Sequence, residues 1–191
     1  MLTDEQLKVN KACYNNAWYD TGAGPLKRSL WFVVNALFFI NPLNPFRKLK
    51  VFLLRAFGAE VGMGVDIKPG VNIKYPWLLT VGDHVWIGEK VWIDNLTHVV
   101  LHANVTLSQG AMLLTGSHDY RKPAFDLLVA GITLEEGVWI GAKAMVCPGV
   151  TCGSHSVLAS GSVATTALQP FGIYQGNPAT EKRKREITFL H

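Results

Sequence analysis

The stretch Gly137-Val138-Trp139-Ile140-Gly141-Ala142-Lys143-Ala144-Met145-Val146-Cys147-Pro148-Gly149-Val150-Thr151-Cys152-Gly153 decides the fold, because a small or aliphatic residue returns at every sixth position, Ile140, Val146 and Cys152. Working outward, the same beat runs back through Leu134, Leu113, Leu107, Leu101, Ile93, Ile87, Val81, Ile73 and Ile67 to Val61, and forward through Leu158 to about Val163. A second apolar slot lies two residues earlier, at Ile132, Val138, Ala144 and Val150 or at Val85 and Val91, the spacing of same-face residues on a strand. Gly62, Gly82, Gly88, Gly141 and Gly153 follow main slots, where the missing Cβ is expected to ease a sharp turn. A fixed six-residue period is the signature of a solenoid of short parallel strands, with three hexads to a triangular coil and one aliphatic side chain per hexad in a shared column. The expected fold is all-β, a parallel β-helix over residues 59–168. N-terminal segments over 1–58 precede it, a tail over 169–191 follows it, and a loop protrudes at 115–131.

That loop is where the beat stops. Between Leu113 and Ile132 the polar run Thr115-Gly116-Ser117-His118-Asp119-Tyr120-Arg121-Lys122-Pro123 intrudes. A rigid wall that carries one long polar excursion is a favoured place for chemistry. Length and composition fit one structured unit: 191 residues, of which 49% are apolar, exclude a disordered chain. Cys13, Cys147 and Cys152 form no CxxC pair, so a reducing, cytoplasmic compartment is expected, and Cys152 reads as a core residue. The first apolar stretch follows a polar segment without a cleavage pattern, which does not read as a signal peptide. The formal charge of +4 is concentrated in Arg47, Lys48, Lys50 and Arg55 and in Lys182, Arg183, Lys184 and Arg185. No nucleic-acid-binding motif accompanies these clusters, so a phosphate-bearing small molecule or an anionic membrane surface is the better match.

The N-terminal part divides at its breakers. Residues 1 to about 20 are expected to be helical, opening on the capping box Thr3-Asp4-Glu5-Gln6 and ended by Gly22, Gly24 and Pro25. An apolar run, Leu30 to Ile40, is followed by Asn41-Pro42-Leu43-Asn44-Pro45 and a basic amphipathic stretch from Phe46 to Phe57, with Phe46, Leu49, Leu53 and Ala56 at helical spacing. The run is shorter than the ~20 residues that cross a bilayer. Two readings stand for it. It is a plug over the open end of the solenoid, or an interfacial anchor in which Trp31, Phe32, Phe38 and Phe39 enter the lipid boundary beside the four basic residues. The anchor would put the chain peripherally on the inner face of the cytoplasmic membrane.

The hexads, the His-bearing loop, Gly137-Val138-Trp139-Ile140-Gly141-Ala142-Lys143 and Tyr174-Gln175-Gly176-Asn177-Pro178-Ala179 together resemble the hexapeptide-repeat acetyltransferases, which include galactoside, maltose and nodulation-factor O-acetyltransferases. The similarity covers about 59–185. Within that family it is nearest to the colanic acid biosynthesis acetyltransferases of exopolysaccharide operons, where the segment from Leu30 to Gly58 is similar too. The resemblance implies a left-handed helix, homotrimers with sites between neighbouring chains, acetyl-CoA as acyl donor without a metal, and a sugar hydroxyl as acceptor, free or on a lipid-linked oligosaccharide.

The chemistry implied is base catalysis. A sugar hydroxyl needs a base as it attacks a thioester, and His, with an intrinsic pKa of about 6.5, suits that role. His118 holds the family's base position, and the backbone N–H of Ala142 holds the position of an oxyanion donor. Asp94 and Asn95 replace the Gly after Ile93 and are candidates to contact the acceptor; Asn95 stands where galactoside-type enzymes have a carboxylate, and ordinary corner chemistry explains both as well. Asp119 and Tyr120 are candidates to fix the His118 ring or the acceptor, or to fold the loop. For coenzyme A, Trp139 would flank the groove while Arg183, with Lys182 and Lys143, would meet the phosphates; Thr165-Thr166 stands where the family often has Lys. His84, His98, His102 and His155 read as wall residues, with His98 or His102 open to an acceptor role, and no spacing suits a zinc site. Two other functions remain open: a scaffold without chemistry, and acetylation of a xenobiotic hydroxyl as in streptogramin acetyltransferases.

Overall fold

In the computed structural model, which describes residues 8–188, the hexads wind into a parallel β-solenoid with three flat faces. The first face stacks Glu60–Val61, Leu79–Val81, Val99–Leu101, Ile132–Leu134 and Thr151–Cys152. The second stacks Asp66–Ile67, Trp86–Ile87, Thr106–Leu107, Trp139–Ile140 and Val157–Leu158, and the third Asn72–Ile73, Trp92–Asp94, Met112–Leu114, Met145–Val146 and Val163–Ala164. Parallel pairing puts the aliphatic slots in register, so that Ile67, Ile87, Leu107, Ile140 and Leu158 form one column, with Val81, Leu101, Leu134 and Cys152 and then Ile73, Ile93, Leu113 and Val146 in the others. All of them are buried, as are the second-slot residues Val85, Val91, Ile132, Val138, Ala144 and Val150. Burying each large aliphatic side chain contributes about 1.5–3 kcal/mol relative to leaving it in water. Burial also pushes the Cys152 thiol up to about 12, with Glu135 adding to the effect, in keeping with a core residue.

The glycines after the slots serve a different purpose from the one expected. Gly82, Gly88 and Gly141 do not have positive φ; a Cβ on any of them would lie within 3 Å of the backbone of the coil above. The left-handed conformation sits two residues later, at Gly64, His84, Lys90, Gly110, Gly137, Lys143 and His155 among others. Glycine therefore permits coil-on-coil approach, and the turn itself is made by the residues after it.

All departures from the six-residue step fall at one edge, where the third face turns back to the first. Paired residues step by six from Glu60 to Asp66 to Asn72, yet Asn72 to Thr80 and Trp92 to Val100 are eight apart and Met112 to Thr133 twenty-one. Above the insertion the regular step returns, from Met145 to Thr151. The C-terminal segment is folded: Gly172–Gly176 and Ala179–Lys184 form a hairpin that extends the second face.

The N-terminal segments close the lower end. A helix over Pro25–Val34 continues in wider π turns over Asn35–Ile40, and a second helix covers Arg47–Ala56. Each face of the first coil has an open carbonyl taken by one side chain of these segments. Arg55 donates to Val61, Lys50 Nζ to Lys68 at 2.9 Å, and Trp31 Nε1 to Ile73 at 2.8 Å. Trp31 and Phe39 are buried against each other and against the column, with Leu54 beside them. Burial lowers the pKa of Lys50, whose charge is held by the Lys68 carbonyl.

These contacts correct two expectations. The packed side of the second helix centres on Lys50 and Leu54, while Phe46 and Ala56 are exposed, because the ammonium group seeks the coil's open carbonyl. The anchor expected of Trp31, Phe32, Phe38 and Phe39 with four basic residues is corrected in part: Trp31, Phe39, Lys50 and Arg55 hold the plug and Phe38 packs against the core, whereas Phe32, Arg47 and Lys48 are exposed. Residues 8–20, expected to be helical, run extended apart from a short 3-10 turn at Lys11–Cys13 and a second turn closed by Tyr19 N–H on the Asn16 carbonyl; the expected capping box at Thr3 to Gln6 lies outside the described residues. This arm is tied along the irregular edge, with Asn10 N–H on Pro123, Tyr19 Oη on Leu96 and Trp77 Nε1 on Thr21.

Trp31→Phe keeps most of the buried ring but leaves the Ile73 carbonyl unpaired, at an expected loss of about 1–3 kcal/mol in urea denaturation. Phe32→Leu, at the exposed neighbouring position, should stay within about 0.5 kcal/mol of the parent.

Candidate active site

The excursion at the irregular edge is a hairpin. Gly116–His118 pairs antiparallel with Leu127–Val129, setting His118 opposite Leu127. Its root is fixed by a polar ladder inside the corner. Thr115 is buried, and its hydroxyl donates to the Asp94 carbonyl and accepts from Leu96 N–H. One coil below, the amide of Asn95 is spent on both backbone groups of Tyr75, at 3.0 and 2.6 Å. Asn95 has no exposed surface, so the expected acceptor contact is corrected to a structural brace.

The hairpin holds the His118 ring in one orientation. Its Nδ1 lies 2.9 Å from the carbonyl oxygen of Phe125, and the ring stacks on Phe125 with centroids 4.5 Å apart and planes 11° from parallel. A carbonyl oxygen only accepts, so in the neutral ring the hydrogen sits on Nδ1 and Nε2 keeps its lone pair. Phe125 has a left-handed φ of 56°, and its N–H is bonded to Lys122, which closes the turn. Tyr14 and Lys11 of the N-terminal arm stand over the two rings and line a cleft of about 260 Å³ with them.

Asp119 takes no part in holding that ring. Its carboxylate is bonded to Arg121 at 2.8 Å, which keeps the carboxyl below its usual range. Tyr120 points into solvent. Three contributors had no sequence signal: Phe125 acts through a backbone oxygen, Thr115 looks like any polar loop residue, and Tyr14 lies in the arm.

The other candidates occupy different places. Asp94 lies on the third face, paired with Lys74 at 3.0 Å, and lines a groove of about 670 Å³ between that face and the helix over Pro25–Val34, together with Asn72 and Arg28. Trp139 is half-exposed on the second face, its Nε1 on Ser108 Oγ at 2.9 Å. Arg183 pairs with Ile173 and so continues the row Trp139, Val157, Ile173 across the same face. Ala142 and Lys143 make the corner between second and third faces, with Lys143 exposed in the left-handed region. The N–H of Ala142 has no partner among the described residues, as at Gln109 and Glu89, the same corner of the coils below. His118 and Ala142 thus lie at opposite ends of the third face, roughly 15 Å of extended chain apart, and one chain alone does not bring them together. His84 and His155 stand over Gly64 and Gly137 in the wall. Among the described residues, no group of three His, Cys, Asp or Glu side chains is placed to hold a metal ion.

No family model matches the chain. It is 36% identical over 167 residues to WcaF of Escherichia coli K12, a protein named as a colanic acid biosynthesis acetyltransferase, spanning 87% of this chain and 92% of that one. It is 30% identical over 135 residues to the galactoside O-acetyltransferase of the same organism, covering 66% and 64% of the two chains. Among solved structures, a hexapeptide-repeat acetyltransferase from Vibrio cholerae O1 biovar eltor, complexed with acetyl coenzyme A, superposes with a TM-score of 0.77 over 87% of this chain and 92% of that one; at 24% identity the likeness is one of fold. The chain belongs to the hexapeptide-repeat acetyltransferases and is an acyltransferase.

The lowered pKa of Asp119 sets a sign for loop stability. The Asp119–Arg121 pair supports the hairpin above the carboxyl's unfolded pKa and is lost as pH falls through the lower folded value. Hydrogen-exchange protection of residues 116–129 should fall below about pH 4, before that of the coils. Asp119→Ala should show the same local loss at neutral pH; unchanged protection in both experiments contradicts the assignment.

Proposed function

We propose that this chain transfers acetyl from acetyl-CoA to a sugar hydroxyl during exopolysaccharide biosynthesis, with His118 as general base and no covalent intermediate. The observation that carries the reading is the His118–Phe125 hydrogen bond, which leaves Nε2 as the lone-pair nitrogen of a ring that lines the cleft. As the hydroxyl oxygen bonds to the thioester carbon, Nε2 takes its proton. The tetrahedral oxyanion then collapses, the carbon–sulfur bond breaks, and the imidazolium returns the proton to the leaving thiolate. The acceptor is a saccharide, free or lipid-linked, and Asp94, paired with Lys74 in the groove along the third face, is the candidate to contact it, since the Asn95 amide is spent on Tyr75.

The oxyanion donor is the N–H of Ala142 from a neighbouring copy, which makes the homotrimer the working form. The separation of His118 and Ala142 along one chain supports this arrangement. Coenzyme A runs along the second face past Trp139, with Lys143 and Arg183 as the cations nearest its phosphates.

His118→Ala should lower kcat by about 10²–10⁴-fold while the assembly stays intact, as read by thioester consumption and sedimentation. Unchanged turnover removes His118 as the base. The shared site has its own test. Ala142→Pro deletes the N–H in a turn that accepts Pro before its left-handed residue. Co-assembled at equal ratio, the His118→Ala and Ala142→Pro chains should recover about a quarter of parental activity, because that fraction of sites has both groups intact in a cyclic trimer. No recovery from co-assembled trimers contradicts a site shared in this way.

A further inference from the structure

The helix that plugs the solenoid is apolar on both sides. Trp31, Asn35 and Phe39 face the first coil, while Leu26, Leu30, Val33 and Leu37 fall on the opposite side at helical spacing and are 74%, 52%, 52% and 56% exposed. An apolar helix stripe is normally covered, and this second one has no partner among the described residues. The second helix adds to it. Lys48 and Phe52 share its outward side, and with Arg47 and Met63 they line a cleft of about 450 Å³.

We infer that this end of the solenoid docks on the surface of an anionic phospholipid bilayer, with the leucine stripe in the acyl boundary and Arg47 and Lys48 on lipid phosphates. Charge selects the partner. From Thr21 to Ala59 the chain has no Asp or Glu, against the six cations Lys27, Arg28, Arg47, Lys48, Lys50 and Arg55. Lys50 and Arg55 serve the plug, and Lys27 stands over Trp77. Arg28, Arg47 and Lys48 have no acidic partner among the described residues. A second copy of the chain on this surface would set these cations against their own kind, whereas an anionic bilayer complements them. The mode is surface attachment, because no described helix is long and apolar enough to cross a membrane. The inference does not depend on the acetyl-transfer reading: Arg28 and Val33 also line the Asp94 groove, but Leu30, Leu37, Arg47 and Lys48, on which the test rests, line neither that groove nor the His118 cleft.

Flotation of the full chain with phosphatidylcholine vesicles, with and without phosphatidylglycerol, tests it. The parent chain should float with the anionic vesicles and stay behind with the neutral ones. Arg47→Gln/Lys48→Gln should weaken partition roughly thirty-fold, following about 1 kcal/mol for each basic residue near the surface. Leu30→Asp/Leu37→Asp should abolish it with an unchanged melting temperature, because both side chains are exposed. Failure of the parent to float, or equal flotation with neutral vesicles, overturns the proposal. So does a smaller assembly for Leu30→Asp/Leu37→Asp in sedimentation, which would mean that another copy of the chain covers the stripe.

Discussion

The stacking of aliphatic side chains at intervals of six residues is the constraint on which the rest of the structure depends. Each buried slot touches an equivalent slot one coil above and one below, so the strands need only two or three residues and the side-chain column supplies most of the cohesion. Such a stack tolerates no change of step on faces that must stay in register. It tolerates insertions at a corner, provided the chain returns to the same slot, and one edge of this molecule takes all of them. The position of the His118 hairpin follows from that geometry, at a fixed height on a rigid wall.

A solenoid also has ends, and the two are closed differently. The C-terminal end folds its own hairpin back, with Arg185 bonded to the carbonyls of Gly137 and His155. The lower end uses a separate plug in which Trp31, Lys50 and Arg55 each satisfy one face. Burying a lysine is costly unless its charge is solvated by the protein, and here a backbone carbonyl that has no strand below it provides that solvation. The same segment extends upward as the arm that reaches the hairpin, so the plug and the proposed site are built from one continuous stretch of chain.

What could be read from the sequence follows from where each environment repeats. The columns at Ile87, Leu107 and Ile140 were legible because identical surroundings select the same residue types again and again. The hairpin was legible as an interruption, and His118 as its one basic ring. Asn95 misled because a buried corner amide and a ligand-contacting amide use the same atoms; only the Tyr75 backbone, brought alongside by coil stacking, distinguishes them. The arm over residues 8–20 misled because its partners, the Pro123 and Leu96 carbonyls, are far away in sequence and lack a side-chain pattern. The orienting acceptor of His118 is likewise a main-chain oxygen, which any residue at position 125 would supply.

The fold fixes one tautomer of His118, with hydrogen on Nδ1 and the lone pair on Nε2. Long-range proton–nitrogen NMR correlation of the selectively labelled His118 ring, recorded on the full chain with the ring neutral, tests it. The expected spectrum shows a protonated Nδ1 and an unprotonated Nε2 in the neutral ring. A neutral ring carrying its hydrogen on Nε2, or an equal mixture of the two forms, would contradict it.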